Sequence, residues 1–143
     1  MTDDEVAAFI DQQPKFQLAT INPDGTPHLV TMFSGLVEGK IAFWTYRASR
    51  KALNLARDPR VTCLIETGVE YFELRGLMLY GTAKVLTEPN DVRYVGSEVV
   101  RRMTGLKDDD GAIAELVDQT AAKRYAYIVE PVRVASWDHR KLT

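Results

Sequence analysis

The chain has little sulfur or imidazole with which to build a covalent or metal-held framework: one cysteine, Cys63, and two histidines, His28 and His139, in 143 residues. A lone cysteine excludes an internal disulfide, and Cys63, set in an alternating apolar run, reads as a buried structural thiol and not as a nucleophile. No Cys/His spacing suits a metal, so none is expected. No apolar run approaches the roughly 20 residues that span a bilayer. The acidic start Met-Thr-Asp-Asp-Glu is unlike a secretory signal, so a cytoplasmic protein without membrane contact is expected. Repeats, linkers and low-complexity tracts are missing too, which leaves one domain, 1–143, able to bury roughly two-thirds of its unfolded surface. No compact Ser-His-Asp or paired-carboxylate constellation occurs. Glu66, Glu70 and Glu73 straddle a turn at Thr67-Gly68 and read as the solvated end of a hairpin.

What is present is a series of short strand patterns. Phe16–Ile21 and Pro27–Phe33 flank Asn22-Pro23-Asp24-Gly25, where proline presets φ and glycine accepts positive φ, predicting a hairpin. A turn at Glu38-Gly39 leads into Ile41–Thr45, and Arg60–Glu66 alternates Val61, Cys63 and Ile65 against Thr62 and Leu64. Phe72–Leu86 is a long run bent by Gly76 and Gly81, and Tyr125–Trp137 supplies a last strand or pair of strands interrupted by Pro131. Helices are predicted after Thr2 or Asp3 through Phe9 and Ile10. Another begins near Thr87 with Pro89 in its first turn and a buried stripe of Val92, Val95, Val99 and Met103. A further one follows the Asp108-Asp109-Asp110 loop, burying Ile113, Leu116, Val117 and Ala121. Six or seven strands with few helices predict a mainly β fold, an antiparallel barrel filled by its own side chains. A nucleotide-sized ligand must then lie outside the barrel, in a groove covered by a second copy of the chain.

The charge is unevenly placed. Arg47–Arg60 holds five basic residues (47, 50, 51, 57 and 60) against the one acid Asp58, a local +4 in a chain of net charge −2. Ser49 suits an N-cap, which places Arg50 and Lys51 in the first helical turn, where the helix dipole makes each cation unfavourable by roughly 0.3–1 kcal/mol. Cations set beside exposed N–H groups make an anion site, and phosphate is the commonest such anion. Concentration on one element points to a discrete ligand and away from nucleic acid. Trp44 and Tyr46, just before the cluster, offer either an aromatic floor for a ring ligand or a core or interface contact.

In order and spacing these segments resemble a known family. They are Leu18-Ala19-Thr20, Asn22-Pro23-Asp24-Gly25-Thr26-Pro27, Phe43-Trp44-Thr45, Arg47-x-Ser49-Arg50-Lys51, Asn54-Leu55, Arg57-Asp58-Pro59-Arg60-Val61 and Gly76-x-x-x-x-Gly81. The match is to the split β-barrel flavin and deazaflavin oxidoreductases of the pyridoxamine 5'-phosphate oxidase superfamily, and it is nearest to the actinobacterial branch that uses coenzyme F420. The resemblance implies an FMN-binding-like split barrel and a homodimer with cofactor at the subunit interface. It implies a phosphate gripped by Arg47, Ser49, Arg50 and Lys51, and a ring system near Pro27, His28, Val30, Thr31 and Met32. Gly76 and Tyr80 would line the facing wall, while Trp137 and His139 would cover the ring from the other subunit. Arg57 and Arg60 would follow the deazaflavin's polyglutamate tail. The implied activity is hydride transfer between F420 and an unsaturated small molecule, with FMN use or a non-catalytic carrier as alternatives. His28 is the weak candidate for a catalytic group, as ring ligand or proton donor, against a plain surface histidine; His139 otherwise reads as a flexible tail residue. The ending Val134-Ala135-Ser136-Trp137-Asp138-His139-Arg140-Lys141 departs from the phosphate-binding arginine segment of true pyridoxamine phosphate oxidases and counts against vitamin B6 oxidation.

Overall fold

The computed structural model describes residues 1–106 and 111–142; the expected Asp108-Asp109-Asp110 loop lies outside the described residues. In β1 (Lys15–Ile21) Phe16, Leu18 and Thr20 are buried, and β2 (Pro27–Phe33) pairs with β1 from Lys15↔Phe33 to Ile21↔Pro27. The predicted turn joins them: Asp24 accepts from the Thr26 N–H at 3.0 Å and hydroxyl at 2.6 Å, and Gly25 takes φ 86°. The short β3 (Gly35–Val37), absent from the sequence reading, forms a two-residue hairpin with β4 (Lys40–Tyr46), Glu38 and Gly39 both taking positive φ. β5 (Arg60–Thr67), β6 (Arg75–Leu86) and β7 (Arg124–Asp138) complete seven antiparallel strands in the order β2-β1-β5-β6-β7-β4-β3. The sheet curls around one core without closing its hydrogen-bond ladder, since β2 and β3 remain edges. The expected mainly β split barrel is therefore present in the fold.

Two cores share one strand. Phe16, Leu18, Phe43, Val61, Ile65 and Leu77 belong to the cluster inside the curl, where Phe43 stacks on Tyr127 with ring centroids 5.0 Å apart. Phe9 and Ile10 of α1 (Asp3–Gln12) join it. Thr2 caps that helix through the Glu5 N–H at 3.2 Å, and the acids of its first turn suit the dipole. The second core lies on the other face of β4, where Ala42 and Trp44 meet α3 (Pro89–Thr104) and α4 (Ala112–Asp118). Burial on both faces explains why β4 reads as an unbroken apolar run while β1 alternates.

Three helical expectations change. Val92, Val95 and Val99 are buried, but Met103 is 46% exposed and the face is completed by Gly96 and Val100. Leu116 is 42% exposed, and the buried Ala121 sits in a 3-10 turn beyond α4. Phe72 lies in a 3-10 turn at Tyr71–Glu73, held by the Glu73 N–H on the Glu70 carbonyl at 2.9 Å, so β6 begins only at Arg75. β7 is one continuous strand. Pro131 pairs with Gly81 and Arg133 with Tyr80, so Val132 is the extra residue of a bulge, a position that spares the ladder proline's missing N–H. Cys63 is buried on β5, and burial pushes its thiol up to about 12. Among the described residues no helix is long and apolar enough to cross a membrane.

Gly96 fixes how closely α3 approaches β4, because a Cβ there would stand 2.4 Å from Cζ3 of Trp44. Gly96→Ala should lower stability by roughly 1–3 kcal/mol, the usual cost of overpacking a tight core. Thermal unfolding checks this, and an unchanged melting temperature would refute the contact.

Candidate functional site

β4 ends at Tyr46 and the chain turns into α2 (Arg50–Arg57), as the sequence predicts. Ser49 caps the helix. Its Oγ accepts from the Ala52 N–H at 3.2 Å and from the Thr45 hydroxyl at 3.1 Å, which leaves its own proton free to donate. The N–H groups of Arg50 and Lys51 have no intrahelical acceptor. Asn54, fully buried, sets the helix's rotation by donating to Thr20 Oγ1 and Asn22 Oδ1, each at 3.1 Å. The first turn is thereby presented to the outside with its cations.

Among the described residues those cations have no counter-charge. No acid occurs in the first turn, and among the described residues no carboxylate pairs with Arg47, Arg50 or Lys51. Lys51 is half-buried, and burial, followed by the charge of Arg124, holds its amine below the usual lysine range. Arg124 is the residue the sequence reading missed. Its guanidinium lies 4.1 Å from the Tyr46 ring centroid and 4.4 Å from that of Trp44, and its Nε is buried without a partner. It stands there because Tyr46 and Arg124 are register partners of β4 and β7, a long-range pairing with no local signal. Arg47 also leans on β7, its Cζ 4.8 Å from the Tyr125 ring.

The other predicted residues fall into separate groups. Thr31 and Met32 line a hollow of about 410 Å³ together with Trp44 and Arg124, roofed by α3 and α4. Pro27, Arg60 and Tyr80 line a second hollow, of about 510 Å³. β2 alternates: Val30 and Met32 pack on the inner core, whereas Thr31 lies on the other face and donates to Gln17 Oε1 at 2.8 Å. His28 shares the parity of Val30; its Nδ1 is buried without a partner, and it lines neither hollow. Arg57 and Arg60 lie at the far end of α2, a helix of eight residues and so roughly 12 Å long. There Arg57 donates to the Ile21 carbonyl, and Arg60 is paired with Asp58 at 2.7 Å, which draws that carboxyl down to about 2. Gly76 is covered by Trp137 of its own chain, since a Cβ would sit 2.0 Å from the indole. Tyr80 donates to the Met78 sulfur, and Arg133 stacks on its ring. His139 is no loose tail: its N–H binds the Leu74 carbonyl at 2.8 Å, and its ring packs 4.6 Å from that of Tyr71.

The family model of pyridoxamine 5'-phosphate oxidase matches residues 2–138. The chain belongs to this family. Among solved structures, a conserved hypothetical protein from Mycobacterium tuberculosis is 42% identical, with TM-score 0.92, covering 99% of this chain and 88% of that one. An F420 reductase is 22% identical with TM-score 0.64, covering 86% of this chain and 90% of that one. The heme storage protein of Vibrio cholerae is 15% identical with TM-score 0.67, covering 95% and 93%. The last two likenesses are of fold alone. No curated protein matches the chain. Within the pyridoxamine 5'-phosphate oxidase family fold, the uncompensated charge thus lies at the start of α2, beside the hollow that β2 shares with Trp44.

Such a cluster should take up a free oxyanion. Sulfate at ten times its dissociation constant is expected to raise the melting temperature by roughly 3–6 °C through mass action. A melting temperature unmoved by millimolar sulfate at constant ionic strength would refute the anion site.

Proposed function

We propose that the chain is a cytoplasmic, homodimeric oxidoreductase that uses the deazaflavin coenzyme F420, with FMN as the alternative cofactor, to act on an unsaturated, conjugated small molecule. The observation that carries this reading is the set of three cations, Arg47, Arg50 and Lys51, at a capped helix start with no carboxylate paired to them among the described residues. The donor set suits a phosphate monoester. Two backbone N–H groups, the Ser49 hydroxyl and three cationic residues are offered by this one stretch of chain, and phosphate accepts through three oxygens.

When bound, the reduced cofactor supplies a hydride to one carbon of the acceptor's double bond, and a solvent proton completes the reduction at the other. The chain's own work is to hold and to exclude. Lys51 and Arg50 would neutralise the phosphate, Ser49 would orient it, and β2 at Thr31 and Met32 would set the ring against the wall formed by Trp44. No general acid is required of the protein, in keeping with a His28 that lines neither hollow. The dimer is supported by an uncovered sheet surface. Leu29 is 65% exposed, and Leu64, Met78 and Tyr80 on neighbouring strands are only partly buried, an apolar face that a second copy would cover. The rival of another class is a carrier that binds the cofactor without turning it over.

Lys51→Ala should weaken cofactor affinity by about 1.5–3 kcal/mol, the worth of a hydrogen bond to a charged group. Its apo stability should be unchanged or slightly raised, because the folded state disfavours the protonated amine whose pKa it lowers. An apo variant that unfolds would make Lys51 structural instead. Titrating F420 and FMN into the protein, then adding enones or quinones and following the cofactor spectrum, separates the readings. Consumption of reduced F420 is the expected result; tight binding without consumption would establish the carrier, and binding of neither cofactor would end the proposal.

A further inference from the structure

The hollow between β2 and the α3–α4 pair has an apolar wall to which the proposed cofactor reading assigns no role. Val99, Val100, Met103 and Leu116 form it from the helices, with Phe33 on the strand side. Phe33, Met103 and Leu116 keep 36%, 46% and 42% of their surface exposed, an apolar rim open to a ligand. Among the described residues Arg124 is the one charged side chain in this lining, and Gln119 and Thr120 stand in the same lining as neutral donors. The guanidinium is flanked by two aromatic rings, its Nε has no partner, and no carboxylate among the described residues pairs with it. Arg124 as a whole is half-buried, but leaving a buried cationic N–H without an acceptor is costly, and the fold does so here beside an apolar wall.

We infer that this hollow is a binding site for an amphipathic carboxylate, with its acid group on Arg124 and its apolar body along Phe33, Met103 and Leu116. A carboxylate suits the site better than a phosphate. A single planar fork matches the two oxygens of a carboxylate and its one charge, whereas phosphate is better served by the several cations at the start of α2. The apolar body is what separates the site from a general anion trap, since only a ligand with both parts gains from both walls. The site stands independently of hydride transfer; that such a carboxylate is the acceptor rests on the reading under Proposed function.

Calorimetric titration of the full-length protein with octanoate and with 1-octanol tests the inference. Octanoate should bind at least tenfold more tightly than octanol. Arg124→Gln should erase that difference while leaving octanol binding in place, and Leu116→Ser should weaken both ligands. Should Arg124→Gln fail to fold by circular dichroism, Arg124→Lys, which keeps the charge and loses the fork, should bind octanoate with intermediate affinity. Equal affinity of the two ligands for the unaltered protein, absence of octanoate binding, or unchanged octanoate affinity in the Arg124 variant would overturn the site. Competitive displacement of octanoate by sulfate would also overturn it, by assigning Arg124 to the phosphate cluster. Sulfate's own effect on melting temperature is read separately, so failure of the anion site and failure of this hollow are distinguishable.

Discussion

The antiparallel pairing of β4 with β7 is the constraint on which the rest of the molecule depends. It commits β4 to burial on both faces, with Phe43 stacked on Tyr127 inside the curl and Trp44 beneath α3 on the other side. The same register sets Tyr46 opposite Arg124, so the strand that divides the two cores also delivers an arginine to the foot of α2. Fold and candidate site are therefore not separable layers. The ladder that positions the apolar side chains is the one that brings together cations distant in sequence.

The balance of forces at α2 follows. The helix dipole argues against cations at its start, and among the described residues no acid pairs with them. The helix is held in place by other means: its cap at Ser49, the buried Leu55, and the buried amide of Asn54 bonded to β1. Stability comes from the inner face, which lets the outer face stay electrostatically unsatisfied at no cost to the packing.

Local chemistry was legible in the sequence wherever it was self-contained. The Asn22-Pro23-Asp24-Gly25 turn, the Thr2 and Ser49 caps and the Val61, Cys63, Ile65 alternation each depend on neighbours within a few residues, and each is found as expected. The family likeness extended this to the whole sheet. What was not legible depends on distant partners. Within its own chain the Trp137 indole lies on Gly76, a contact set by the β6–β7 register that no local pattern announces. His139 was expected to be loose, but the Tyr71 turn that receives it is far away in sequence. Arg124 gave no signal, since nothing around it announces that Tyr46 is across the ladder. Met103 and Leu116 fit a helical stripe by spacing, yet α3 and α4 meet β4 along only part of that stripe.

The burial of Cys63 bears on how such a protein would age. Peroxide attacks thiolates, not thiols. With its proton held to about 12 and its sulfur sealed inside β5, this chain's single cysteine presents no thiolate at the pH of a living cell. Peroxide that reaches this fold would therefore spare its cysteine and meet first an exposed thioether such as that of Met103.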